Sequence, residues 1–241
     1  MSGFISALQF LTVFRLRENE AFRPDKMLPF FPVVGLCIGA LLACFDALIG
    51  LFWAGSIASL LDVLFLAWVT GALHLDGLGD TADGLYGSRP KEKALSIMKD
   101  SRIGAMGVVA IFFGLTVKWG ALSDVDTGRM IALLVVPAFA RTSLLFGTRF
   151  LVYGRDDGTG KDFFSSRIPG SSFWGLSLPV FFSLFMGGKG IFMIGGFFLL
   201  TGGVILFYKR RINCITGDML GAMNEICEAG LFLVAAMGGA L

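Results

Sequence analysis

The sequence predicts an all-α, polytopic integral membrane protein: a helical bundle of about seven spans plus an N-terminal interfacial helix. Three observations carry this. Of 241 residues, 55% are hydrophobic and only 16% charged, whereas a soluble domain averages roughly 45–50% apolar and about 25% charged. The mean hydropathy is +0.77, and the apolar residues are gathered in runs of membrane-crossing length. The basic residues, finally, concentrate in alternate connections between those runs. A formal net charge of +2 is too small to imply a nucleic-acid partner.

Taken in order, residues 4–16 are apolar but make only about 20 Å of helix, too short to cross, so they are read as interfacial. They lack a basic start and a small-residue cleavage site, and read as mature sequence rather than a signal peptide. Spans are expected at about 33–53, 57–75, 104–122, 129–151, 173–187, 190–208 and 222–241, the fifth short and the last Gly-rich with a polar start. Together, residues 1–241 are read as a single membrane-embedded catalytic domain. Gly35-xxx-Gly39 and Gly217-xxx-Gly221 are small-residue surfaces on which helices approach closely. Cys37, Cys44, Cys214 and Cys227 form no CxxC pair and indicate neither zinc nor a disulfide framework; they read as packing residues.

Orientation follows from the basic residues. Arg15, Arg17, Arg23 and Lys26 precede the first span; Arg89, Lys91, Lys93, Lys99 and Arg102 follow the second; Arg149, Arg155, Lys161 and Arg167 follow the fourth; Lys209, Arg210 and Arg211 follow the sixth. Those sixteen of the 20 basic residues share one side, against Lys118, Arg129 and Lys189 on the other, with Arg141 inside a span. The positive-inside rule places the sixteen in the cytoplasm, with the N-terminus inside and the C-terminus outside.

Every polar motif of note then falls on the cytoplasmic side. In His74-Leu-Asp-Gly-Leu-Gly-Asp-Thr-Ala-Asp-Gly84, a continuous helix sets Asp76, Asp80 and Asp83 on one face within about 60°. Three carboxylates so close repel one another unless a cation joins them, and hard oxygen ligands of this kind suit Mg²⁺, completed by water or phosphate. Gly77, Gly79 and Gly84 are expected to let a bulky ligand approach. His74 falls about 160° from the Asp76 face and is read as structural or as a base. Residues 90–101 read as an amphipathic helix delivering Lys99, Asp100 and Arg102 beside the acids, cations of the kind a diphosphate requires. A second cluster, Asp218, Asn224, Glu225 and Glu228, enters the last span, where such groups need a watery or liganded cavity. Arg141, near mid-span, reads as a site residue or half of a buried ion pair; Asp46 and Asp62 read as paired or interfacial. Gly158-Thr-Gly-Lys161-Asp162 departs from a phosphate loop at two positions and is kept as a flexible cationic loop.

These pieces resemble the cobalamin synthase family, the adenosylcobinamide-GDP ribazoletransferases. The resemblance includes Phe10-Leu-Thr12, Phe31-Pro-Val-Val-Gly35, the 74–84 block, Ile97-Met-Lys-Asp-Ser-Arg-Ile-Gly104, Pro137-Ala-Phe-Ala-Arg141 and Thr216-Gly-Asp-Met-Leu-Gly-Ala222 with Glu225 and Glu228. It runs nearly end to end. Gly79 stands where Ala is expected and Met106 where an aromatic is usual. The resemblance implies a Mg²⁺-dependent transfer at the cytoplasmic face of a bacterial-type inner membrane. A ribose hydroxyl of α-ribazole, or of its 5′-phosphate, attacks adenosylcobinamide-GDP and expels GMP. It implies Asp76, Asp80 and Asp83 as metal ligands and Lys99, Asp100, Arg102, Arg141, Asp218 and Glu228 as the diphosphate-binding set. One Asp, or Glu225, is the hydroxyl's proton acceptor. The partners implied are these substrates and the lipid bilayer; a homo-oligomer is left open. Two rival readings stand beside it. A CDP-alcohol phosphotransferase pattern is not met at Asp80-Thr81, and a cation transporter is expected to show midplane sites in related repeats.

Overall fold

The computed structural model describes residues 2–15, 24–158, 160–164 and 168–238; Arg17, Arg23, Arg167 and the last three residues of the final expected span lie outside them. The chain folds into α1 (Ser2–Leu11), α2 (Pro24–Met27), α3 (Phe31–Ile49), α4 (Ser56–Val69), α5 (Leu73–Leu85), α6 (Lys91–Ile97), α7 (Ala105–Ser123), α8 (Arg129–Phe150), α9 (Ser177–Ser183), α10 (Gly188–Arg211) and α11 (Gly217–Ala236), with short 3₁₀ turns between. Among the described residues there is no strand, only one isolated bridge between Tyr153 and Ile215. The all-α expectation holds.

The centre is α8: 78% of its apolar stretch is inside the bundle, against 22% for α7 and 28% for α10, which turn outward. The outward side chains, such as Leu199, Phe112, Phe113 and Ile191, are large, apolar and exposed, a surface suited to lipid and costly in water. α3 lies against α8 because Gly35 and Gly39 have no side chain: a Cβ at Gly35 would stand 2.5 Å from the Ala138 Cα, and one at Gly39 would overlap the Leu134 carbonyl. At the end of the bundle away from α5, Arg129 joins Asp46 (2.8 Å), Asp62 (2.6 Å) and Ser59 (3.2 Å), pinning α3, α4 and α8 together. Asp46 and Asp62 are therefore paired.

Five helices are long and apolar enough to cross a membrane, or six if the bent pair α4–α5 counts as one, rather than seven. Two expected spans account for the difference. The second breaks after Val69 at Gly71 and Ala72 (φ +59° and +55°), left-handed backbone that no helix continues through, and the chain turns by 89°. The fifth is a shorter apolar segment, Gly170–Met186, in which 3₁₀ turns flank the seven-residue α9.

Candidate active site

Because of that turn, α5 runs along the end of the bundle instead of through it. It is one continuous helix, so Asp76, Asp80 and Asp83 do share a helix as the spacing predicts. Gly77 sets its position. A Cβ there would stand 2.6 Å from the Asp218 carbonyl oxygen, while the Cβ of an alanine at Gly221 would meet the His74 Cα at 3.3 Å. Backbone thus rests on backbone where α5 crosses the first turns of α11. The α5 glycines serve this packing and not ligand approach: Gly79 faces Ile111 and Gly107, and Gly84 faces Met98 and the Ala94 carbonyl. The expectation of open space there is corrected.

The crossing brings Asp76, His74, Gly217 and Asp218 onto the wall of one cavity of about 160 Å³. Asp218 sits in the first turn of α11, whose N-cap is Thr216, its hydroxyl accepting the Met219 N–H at 3.2 Å. A carboxylate is favoured at that end of a helix. Asp218 also receives Arg155 at 2.6 Å. Arg155 arrives because Gly154 N–H donates to Ile215 O and Ile215 N–H to Val152 O, both at 2.9 Å, drawing the loop after α8 beside the start of α11. In the sequence Arg155 is one basic loop residue among many; its role shows only in this pairing.

Asp80 is part-buried and, among the described residues, its side chain has no hydrogen-bond partner. Burial pushes its carboxyl up to about 6, with repulsion from Asp76 and Asp218 adding to the effect and Arg155 opposing it. Three carboxylates against one guanidinium leave two negative charges in surplus, the amount a single divalent cation balances.

Asp83 has another task. It accepts the backbone N–H groups of Gly104 (2.6 Å) and Gly107 (2.9 Å), capping α7 from a neighbouring helix. Both glycines admit it: a Cβ at Gly107 would fall 2.5 Å from an Asp83 oxygen, and one at Gly104 would overlap the carboxylate. Among the described residues no group of three or more His, Cys, Asp or Glu side chains converges on a metal position. The three-carboxylate cage expected from the spacing is therefore not assembled, because the third acid is committed to a helix end. Mg²⁺ needs only one or two carboxylates beside phosphate and water, and Asp76 and Asp80 with their surplus charge meet that smaller demand. Because Asp83 acts as a cap, Asp83→Asn is expected to lower stability by about 1–2 kcal/mol through lost cap and dipole interactions, measured by thermal melting.

The remaining expected residues divide in two. Asp100 and Arg102 pair at 2.6 Å on a second, more open basin of about 360 Å³ that also has Asp83, Tyr86, Arg89 and Gly104 on its wall. The Arg102 guanidinium holds the Asp100 carboxyl below its ordinary range. Lys99 pairs with Asp157 at 2.7 Å, both well exposed. Arg141, Glu225 and Glu228 lie apart from the cavity, buried among α7, α8 and α11. Lys118 donates to Glu225 at 2.6 Å and to Glu228 at 2.7 Å, and Arg141 donates to Glu228. Arg141 is 1% exposed, which settles the even choice for it in favour of a buried ion pair. Lys118, counted with the outer-side charges in the sequence, is buried in the same group.

Fold and site together define a class: a polytopic helical membrane protein whose polar chemistry is gathered in an acid-walled cavity at one end of the bundle. Comparison with known proteins narrows the class. Residues 3–236 match the family described as Cobalamin-5-phosphate synthase, and the chain belongs to that family. It is 38% identical over 248 residues to the adenosylcobinamide-GDP ribazoletransferase of Geotalea daltonii, covering 98% of each chain. It is 36% identical over 251 residues to that of Alkaliphilus metalliredigens, covering 100% of this chain and 98% of the relative. The corresponding protein of Clostridioides difficile is 33% identical over 243 residues, with 95% and 94% covered. No solved structure matches. The resemblance carried by the motifs is borne out, and the chain is a transferase of cobalamin biosynthesis.

Proposed function

We propose that this chain joins adenosylcobinamide-GDP to α-ribazole, or to α-ribazole 5′-phosphate, at the cytoplasmic face of the bacterial-type inner membrane. The products are adenosylcobalamin, or its 5′-phosphate, and GMP. A ribose hydroxyl oxygen bonds to the cobinamide-linked phosphorus, the bond from that phosphorus to the GMP oxygen breaks, and GMP leaves with the electron pair. The hydroxyl proton passes to a carboxylate on the cavity wall. Asp76 and Asp218 support this role by lining the cavity; Glu225 is off that wall, buried with Lys118. Asp76 and Asp80 would hold Mg²⁺, which when bound neutralises charge gathering on the diphosphate. Arg102, on the open basin beside Asp83, offers a planar guanidinium to non-bridging oxygens. Arg155 keeps Asp218 turned to the cavity, and Lys99 adds positive charge at the approach.

The observation that carries this reading is the surplus of two negative charges on the crossing of α5 and α11, in a chain of this family. The cytoplasmic assignment rests on the sixteen basic residues grouped on one side. The test is purified protein in lipid with both substrates and Mg²⁺, scored for GMP and for the joined corrinoid. Release that requires both substrates and stops on chelation is the expected result. GMP formed without α-ribazole, or at full rate in chelator, would count against it.

A further inference from the structure

The cavity has two unlike halves, and only one is explained by metal and phosphate chemistry. Asp76 and Asp218 stand at the polar half; the other is walled by Phe10 from α1, Phe31 from α3 and Phe163 from the 3₁₀ turn Lys161–Phe164, with leucines behind. The three rings touch one another, with centroids 6.1 Å apart for Phe10 and Phe31, 5.3 Å for Phe10 and Phe163, and 5.9 Å for Phe31 and Phe163. His74 stands on the same wall, 4% exposed.

Resting on the function proposed above, we infer that this cavity is the acceptor site. The flat apolar base of the nucleoside lies against the wall formed by Phe10, Phe31 and Phe163, and the ribose points to Asp76 and Asp218. The choice between the two substrates follows from their chemistry. Guanine has polar groups along its edges, and each needs a partner if buried; phenylalanine and leucine walls supply none. A benzimidazole-type base has one free ring nitrogen and otherwise presents faces and apolar edges, which aromatic rings bind well. An acyl chain has nothing to offer Asp76 and Asp218. The placement also gives α1 a purpose: the N-terminal helix closes the aromatic wall. It leaves the donor's diphosphate to the Arg102 side of α5, so the two substrates meet across the Asp76–Asp80 face.

The test uses the full chain in lipid nanodiscs, with KM measured separately for α-ribazole and for adenosylcobinamide-GDP. Phe163→Ala raises KM for α-ribazole about tenfold, the loss of one aromatic wall, with KM for the donor within about twofold. Phe163→Leu gives an intermediate value and guards against misfolding of the smaller variant. Free benzimidazole inhibits competitively against α-ribazole, while guanosine does not. A rise in the donor's KM instead, or competition of benzimidazole with the donor, would assign the cavity to the donor and overturn the inference. So would Phe163 variants with both KM values unchanged. Calorimetric binding of benzimidazole to the wild-type chain, weakened in Phe163→Leu, supports the site even if GMP release fails, which separates this inference from the reaction on which it was built.

Discussion

Asp80→Asn is expected to slow turnover by about 10²–10³-fold while making the metal-free protein more stable. The side chain is part-buried within the field of Asp76 and Asp218, and its carboxyl is raised from 3.8 to about 6 by burial and those neighbours. A folded-state value above the unfolded one means that the folded protein holds the proton more tightly. The stabilising contribution is therefore complete below about pH 3.8 and lost as pH rises through about 6. At pH 7 the ionised carboxylate is a liability that a bound cation removes and an amide never incurs. Allowing for solvent screening at a part-exposed position, Asp80→Asn gains about 1 kcal/mol in chelator. It also flattens the melting temperature between pH 4 and 7 and removes the stabilisation that millimolar Mg²⁺ is expected to give the wild type. GMP release falls by about 10²–10³-fold, the scale of losing a group that places charge stabilisation at the reacting phosphorus. Thermal melts with and without Mg²⁺, beside initial rates, measure both halves. Wild-type rates in Asp80→Asn at saturating Mg²⁺ would remove the metal from the Asp80 face.

The pattern of stability rising as activity falls would also mark Asp80 off from Asp83, two acids that the sequence presents as equals. Their i, i+3 spacing is legible; their different partners are not, since Asp83 is paired with the start of a helix 21 residues further on. Local periodicity describes one helix at a time, and the roles here are set where helices cross. The same limit explains Arg155, recruited by a two-bond bridge between loop and helix start. It explains His74 as well. A helical wheel puts it far from Asp76, but the cavity wraps around the N-terminal end of α5 and includes both. What composition and spacing do convey is large: the all-α membrane bundle, the acids of α5 on one helix, and the close packing at Gly35 and Gly39. The break in the second span was hidden by its apolar composition, which continues through Gly71 and Ala72 although the backbone there is left-handed. Charge counting, in turn, assigned Lys118 to an outer end because a lysine near a span boundary looks the same whether it reaches out or in.

The second large effect lies in that inward-reaching lysine. Lys118, Arg141, Glu225 and Glu228 form a formally neutral group of two cations and two anions, each buried to 5% exposure or less. Glu228 touches both cations, so Glu228→Gln leaves Lys118 and Arg141 sharing one carboxylate in a fully buried site. Removing one member of a buried ion pair costs about 3–5 kcal/mol, a large share of the roughly 5–15 kcal/mol that holds a protein folded. The variant is expected to yield little folded protein from membranes, with a melting temperature depressed well below that of any cavity variant. Charge balance makes this testable beyond simple loss. Lys118→Met with Glu225→Gln removes one cation and one anion together and leaves the Arg141–Glu228 pair intact, so the double variant is expected to be more stable than Lys118→Met alone. The group does not line the cavity, but its charges act on His74, which does, so the rate per folded molecule in the double variant is expected to fall by no more than about tenfold, the scale of a coupling of about 1.4 kcal/mol through one shared neighbour. A double variant that folds but releases no GMP would return Glu225 to the list of proton acceptors. That outcome would require water and substrate to reach a carboxylate which, in this structure, is closed in by Lys118 and the helices around it.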